Sequence, residues 1–190
     1  MTPLIYGAWD GVFYDNRSTF SPSAPEGLDI DQFSQFNPGN PVMSFVCDRG
    51  FLVLDRRASL VFSLWRYYER AARETCGKCT PCRIGTQIIA EALDNAVKGH
   101  AAEVDWDFVQ TVAEQMKKTS LCGIGLTTPV ALLAALEFCP EEIKKATAVA
   151  RDVYDYYSLL TAPCVEACPA HVDVPRYIDS VSYTHLTLPT

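Results

Sequence analysis

No run of eighteen apolar residues occurs anywhere in the 190-residue chain, which excludes a helix built to cross a bilayer. An excess of basic charge is missing as well. Sixteen Lys and Arg stand against twenty-three Asp and Glu, a formal net charge of −7 that argues against nucleic acid as a partner. The N-terminus lacks the basic-then-apolar pattern of a secretory signal. With no export signal, eight cysteines point to a reducing compartment, where such thiols bind metal instead of forming a disulfide framework. The expected location is cytoplasmic, at most peripheral to a membrane complex. Apolar residues make up 48% of the chain, enough for one domain with a proper core or one domain plus pieces of others.

Three of the cysteines lie in Cys76-Gly77-Lys78-Cys79-Thr80-Pro81-Cys82, and a fourth stands in Ser120-Leu121-Cys122-Gly123-Ile124-Gly125. A [4Fe-4S] cube needs four thiolates, one per iron, arriving from different directions. Three from one tight loop and one from a remote loop meet that need. Thr80 is placed to cap a helix, Pro81 suits its first position, and Cys82 falls in the first turn, where unpaired N–H groups favour an anionic group. Structural zinc is the competing metal, but it usually takes two paired C-x2-C knuckles. Inert buried thiols are the other reading, and packing does not explain three within seven residues around Gly and Pro. Lys78 and Arg83 flank the loop; charges close to a cluster raise its potential, and ordinary solvated charge is their plain alternative.

Taken in order, residues 1–50 are expected to form an irregular segment, because Pro22, Pro25, Pro38 and Pro41 break each periodic run while many aromatics argue against disorder. Residues 51–145 are expected to be a helical cluster-binding domain. A short strand over Phe51–Asp55 leads to a helix from Ala58 to Arg73, with Leu60, Leu64, Tyr68 and Ala71 on one stripe. A second helix runs from Pro81 to Lys98. Asp105 caps a third, with Phe108, Val112 and Met116 facing inward. A fourth spans Val130 to Phe138, and a fifth begins at Glu141 and Glu142 and extends through a connecting segment, residues 146–161, toward Tyr157. The fold class expected is all-α: a small four-helix bundle with irregular extensions at both ends. Cys47 and Cys139 read as structural thiols, and His100 and His171 as loop residues. Residues 162–181 carry Cys164 and Cys168 in a C-x3-C-P pattern, half a cluster site, and residues 182–190 read as an artefactual tail.

The run Glu74-Thr75-Cys76-Gly77-Lys78-Cys79-Thr80-Pro81-Cys82-Arg83, with Thr119-Ser120-Leu121-Cys122-Gly123-Ile124-Gly125, resembles the C-terminal iron-sulfur domain of the NADH-oxidising flavoprotein subunit of respiratory complex I. NAD-linked hydrogenase and formate dehydrogenase subunits share that domain. The likeness covers about Gly50 to Ile143. It implies one [4Fe-4S] cluster held by Cys76, Cys79, Cys82 and Cys122, fed by a flavin mononucleotide (FMN) bound upstream. The implied partners are a flavin-containing domain or subunit and a further iron-sulfur subunit. The glycine-rich segments that hold FMN and NAD in the family are absent here, so both belong to the parent protein only. Ile84 stands where the family commonly has an acidic residue, and residues 1–49 do not match what usually precedes the domain. Residues 164–178 resemble the opening of the two-cluster domain of glutamate synthase small subunits and dihydropyrimidine dehydrogenase. Cys164 and Cys168 would there belong to a second [4Fe-4S] cluster completed by downstream residues, and the chain is expected to be an internal fragment of a fused oxidoreductase. The function expected is electron relay; the alternative is a structural metal-binding or subunit-docking helical module without redox turnover.

Overall fold

Asp10 and Gly11 adopt left-handed backbone angles, φ 50° and 78°, and so turn Tyr6–Trp9 (β1) back on Val12–Asp15 (β2) in a two-residue hairpin. Ser44–Cys47 (β3) and Gly50–Val53 (β4) form a second hairpin, and β4 pairs with β1. The resulting antiparallel sheet has the order β2-β1-β4-β3. These elements come from a computed structural model that describes residues 4–18, 22–28 and 42–149. The all-α expectation is therefore corrected: the described chain is mixed α/β, a four-stranded sheet with helices packed on it. The irregular N-terminal extension of that expectation is corrected with it, since β1, β2 and β3 lie there. Each strand is only four residues long, and β1 and β4 are buried throughout, so neither shows the alternation that marks a half-exposed strand.

The register places Tyr6 and Ala8 opposite Val53 and Phe51, and these four side chains join the main core beneath the helices. The other face of the sheet closes a smaller cluster of Leu4, Trp9, Leu52 and Leu54. Among the described residues six helices follow: Leu60–Glu74 (α1), Thr80–Val97 (α2), Trp106–Thr119 (α3), Gly123–Thr127 (α4), Pro129–Phe138 (α5) and Pro140–Lys144 (α6), with a 3-10 turn at Ala101–Glu103. Ser59 caps α1 by accepting from the Phe62 N–H, and Asp105 caps α3 by accepting from the Phe108 N–H at 3.0 Å. Leu64, Tyr68, Ile89, Leu93, Met116 and Leu132 are fully buried where α1, α2, α3 and α5 meet. Each side chain of this size contributes about 1.5–3 kcal/mol when taken out of water. The Tyr68 hydroxyl donates to the Thr128 carbonyl at 3.0 Å, so its one polar atom is satisfied in the core.

Sheet and helices are joined by Phe13 stacked on Phe138, ring centroids 5.1 Å apart, and by Glu142, which accepts from the Tyr6 hydroxyl and from Arg17 at 2.9 Å. Two helix details differ from the sequence reading. On α3 the inward stripe is Val109, Ala113 and Met116, and Phe108 is 52% exposed. The fifth expected helix stops at Lys144 because the chain there turns onto α2: the Val149 N–H donates to the Val97 carbonyl at 2.9 Å. The remainder of that expected helix, from residue 150, lies outside the described residues.

Candidate metal centre

The end of α1 and the start of α2 fix the first cysteine loop. Thr75 closes α1 by donating its N–H to the Ala71 carbonyl at 3.0 Å. Gly77, at φ 72°, makes the reversal that a side chain would strain, and Arg83 reaches back from α2 to donate to the Gly77 carbonyl at 3.1 Å. Cys79, not the expected Thr80, occupies the cap position of α2, and its carbonyl accepts from the Arg83 N–H at 3.0 Å. Cys82 follows in the first turn, buried, with its carbonyl also accepting from the Thr86 hydroxyl at 2.8 Å. The second loop joins α3 to α4, with Cys122 exposed at the cap of α4.

The loops meet at two points. The Leu121 N–H, then the Cys82 N–H, hold the Cys79 thiol below the usual thiol range, with a smaller contribution from Ser120. Immediate neighbours cover Cys79 but little protein lies beyond them, so these contacts outweigh desolvation. Burial raises the Cys82 thiol above the usual range; the Thr75 hydrogen bond opposes this, and charge on Cys79, Cys122 and Cys76 adds to it. All three of the other thiols are thus electrostatic neighbours of Cys82. Cys47 and Cys139 have a different environment, in which burial pushes their thiols up to about 11 and about 12. Both therefore stay protonated at neutral pH. Cys164 and Cys168 lie outside the described residues.

Among the described residues, no three His, Cys, Asp or Glu side chains converge closely enough to hold one metal ion. In a [4Fe-4S] cube each thiolate would bind its own iron, and the four thiols are supplied here from two loops. Two further features fit a bulky sulfur-rich group. Ser120 Oγ is buried without a hydrogen-bond partner among the described residues, and the Cys79 sulfur lies beside it. Gly125 leaves the adjoining space open: a Cβ there would lie 2.4 Å from Ser120 Oγ and 3.0 Å from Cys82 Cβ. The sequence gives no reason to single out Thr75, Ser120 or Gly125 by role. Their importance comes from the meeting of two loops about forty residues apart, although all three sit inside the motifs.

Residues 63–146, which contain all four thiols, match the model of the NADH-ubiquinone oxidoreductase-F iron-sulfur binding region. This segment belongs to that family. Across its flanks the iron-sulfur binding region is also similar to whole proteins. The beta subunit of an NADP(+)-dependent formate dehydrogenase of Moorella thermoacetica is 26% identical over 95% of this chain and 30% of its own length. An NADH-quinone oxidoreductase subunit of Aquifex aeolicus is 36% identical over 50% of this chain and 22% of its own length. The chain thus spans less than a third of either relative. A solved chain of the air-oxidized NAD+-reducing [NiFe]-hydrogenase shares the fold, with a TM-score of 0.52 at 21% identity over 84% of this chain and 26% of that one.

Proposed function

We propose that Cys76, Cys79, Cys82 and Cys122 hold one [4Fe-4S] cluster, and that the chain relays electrons within an NAD(P)H-linked flavoprotein oxidoreductase. The observation that carries this reading is the close approach of the two cysteine loops, Gly125 packed against Cys82, inside a segment that matches an iron-sulfur binding region. Bound there, the cluster supplies one-electron transfer and makes or breaks no substrate bond. The work of the chain is to hold, tune and shield it. The Cys79 cap and the Arg83 contact to Gly77 fix the first loop, and Lys78 and Arg83 place positive charge beside it. Ile84, 42% exposed, adds no charge where the family commonly carries an acid.

The surface around the thiols supports a protein partner. Leu121 is 79% exposed, and Ile84, Ile124 and Leu126 are exposed too. Large apolar side chains gathered beside a metal centre mark a face that another protein covers and keeps dry. A flavin-containing domain or subunit on the donor side and a further iron-sulfur subunit on the acceptor side are the partners proposed, with FMN and NAD bound elsewhere in the full protein. No helix among the described residues is long and apolar enough to cross a membrane. A reducing, cytoplasmic compartment suits the four free thiols.

Metal analysis of anaerobically purified chain tests the reading. Iron and acid-labile sulfide in equal amounts are expected, both lost in Cys82→Ser. Stoichiometric zinc without sulfide would instead establish the structural module.

A further inference from the structure

Two hydroxyl groups stand beside the thiols, and neither has a structural task sufficient to account for it. The Thr75 hydroxyl lies 3.3 Å from Cys82 Sγ, and its oxygen accepts the Gly77 N–H at 3.4 Å. Metal binding at Cys82 fixes the direction of the first contact. With its oxygen engaged by Gly77, the hydroxyl has its own proton free, and a metal-bound Cys82 thiolate has none to give, so Thr75 must donate to sulfur. Ser120 supplies the counterpart from the other loop. Its Oγ is buried, at 9% residue exposure, with no hydrogen bond of good geometry among the described residues, and a buried hydroxyl left unpaired is destabilising. Gly125 keeps the space around it clear, as the 2.4 Å approach of an added Cβ shows. An unpaired donor kept open beside two thiols, Cys79 and Cys82, has sulfur as the acceptor within its reach.

We infer that Thr75 and Ser120 are positioning residues that donate hydrogen bonds to the sulfur shell of the cluster, one from each loop, and so set its reduction potential. This rests on the cluster assignment above. Donors to sulfur stabilise the more negative, reduced state more than the oxidised one, so each raises the potential. Removing one donor shifts the one-electron equilibrium toward the oxidised form by about tenfold, which is about 59 mV for a one-electron couple.

The test uses the full 190-residue chain, purified anaerobically and titrated potentiometrically with electron paramagnetic resonance detection of the reduced cluster. Thr75→Val and Ser120→Ala are each expected to lower the midpoint by about the tenfold equivalent, and Thr75→Ser to restore the wild-type value. A midpoint unmoved in both variants at full cluster content overturns the inference, as does a Thr75→Ser midpoint as low as that of Thr75→Val. Should Thr75→Val fail to assemble a cluster, Ser120→Ala decides alone, because sulfur is the one acceptor beside its hydroxyl among the described residues. Iron and sulfide analysis of the wild type comes first. A wild type without iron sinks the cluster assignment itself, whereas a loaded wild type with unshifted variants sinks only the role of the two hydroxyls.

Discussion

Gly125→Ala probes the contact between the two cysteine loops most sharply, because the structure sets both its size and its control. The added methyl group would meet Ser120 Cβ and Oγ at 2.4 Å and Cys82 Cβ at 3.0 Å, where ordinary contact begins at 3.4 Å. Rotating the hydroxyl away does not help, since Ser120 Cβ is equally close. The backbone of one loop must retreat by about 1 Å, and overpacking of this kind costs about 1–3 kcal/mol. Replacing Gly by Ala within a helix returns up to about 1 kcal/mol. Gly123→Ala isolates the packing cost, because it lies in the same short helix and meets nothing within 4 Å. Urea denaturation of both variants should therefore place Gly125→Ala about 1–3 kcal/mol below Gly123→Ala, with an unchanged slope. The displaced loop should also reduce bound iron in Gly125→Ala alone. Equal midpoints and equal iron content in the two variants would refute the close packing of Gly125 against Ser120 and Cys82.

Other outcomes follow from the same geometry. Cys122→Ser is expected to abolish iron binding and lower thermal stability, because a metal site shared by two loops couples binding to folding; an unchanged melting curve and iron content would contradict loop closure. Lys78→Glu should make the cluster potential more negative, read by redox titration, and an unmoved midpoint would reduce Lys78 to solvated charge. Tyr68→Phe removes a buried hydrogen bond to the Thr128 carbonyl, costing about 0.5–1.5 kcal/mol by denaturant titration at pH 7. The sign of its pH effect is fixed by burial, which raises the Tyr68 hydroxyl well above the usual tyrosine value. Stability is therefore fully present below about pH 10, the unfolded value, and falls as pH rises past it. Tyr68→Phe should flatten that alkaline decline, and an identical slope in both proteins would place the titration elsewhere.

The long helices α1, α2 and α3 were legible because their signals are long, whereas the short α4 was not. The Leu60, Leu64 and Tyr68 stripe spans more than two turns and is buried as its period requires, and Asp105 caps α3 as the sequence indicates. Of the sheet only β4 was read, from the apolar run Phe51–Asp55; β1, four residues buried on both faces, leaves no alternation to count. One local signal was present: Asp10-Gly11 between Tyr6–Trp9 and Val12–Asp15 is the preferred chemistry of a two-residue hairpin. Phe108 was misplaced because Phe108, Val112 and Met116 and the buried Val109, Ala113 and Met116 are both helical spacings that share Met116. At the candidate metal centre the cysteine spacing was readable from the chain, since it encodes a donor set. The roles of Thr75, Ser120 and Gly125 were not, because each depends on a neighbour brought close only by the fold.

Electron paramagnetic resonance of the anaerobically purified chain, recorded before and after chemical reduction, tests the central claim most directly. The account predicts a silent oxidised protein that gains the signal of a reduced [4Fe-4S] cluster, with that signal absent in Cys76→Ser, Cys79→Ser, Cys82→Ser and Cys122→Ser. A signal that survives loss of Cys122, or none at all in a wild type that contains iron and sulfide, would contradict it.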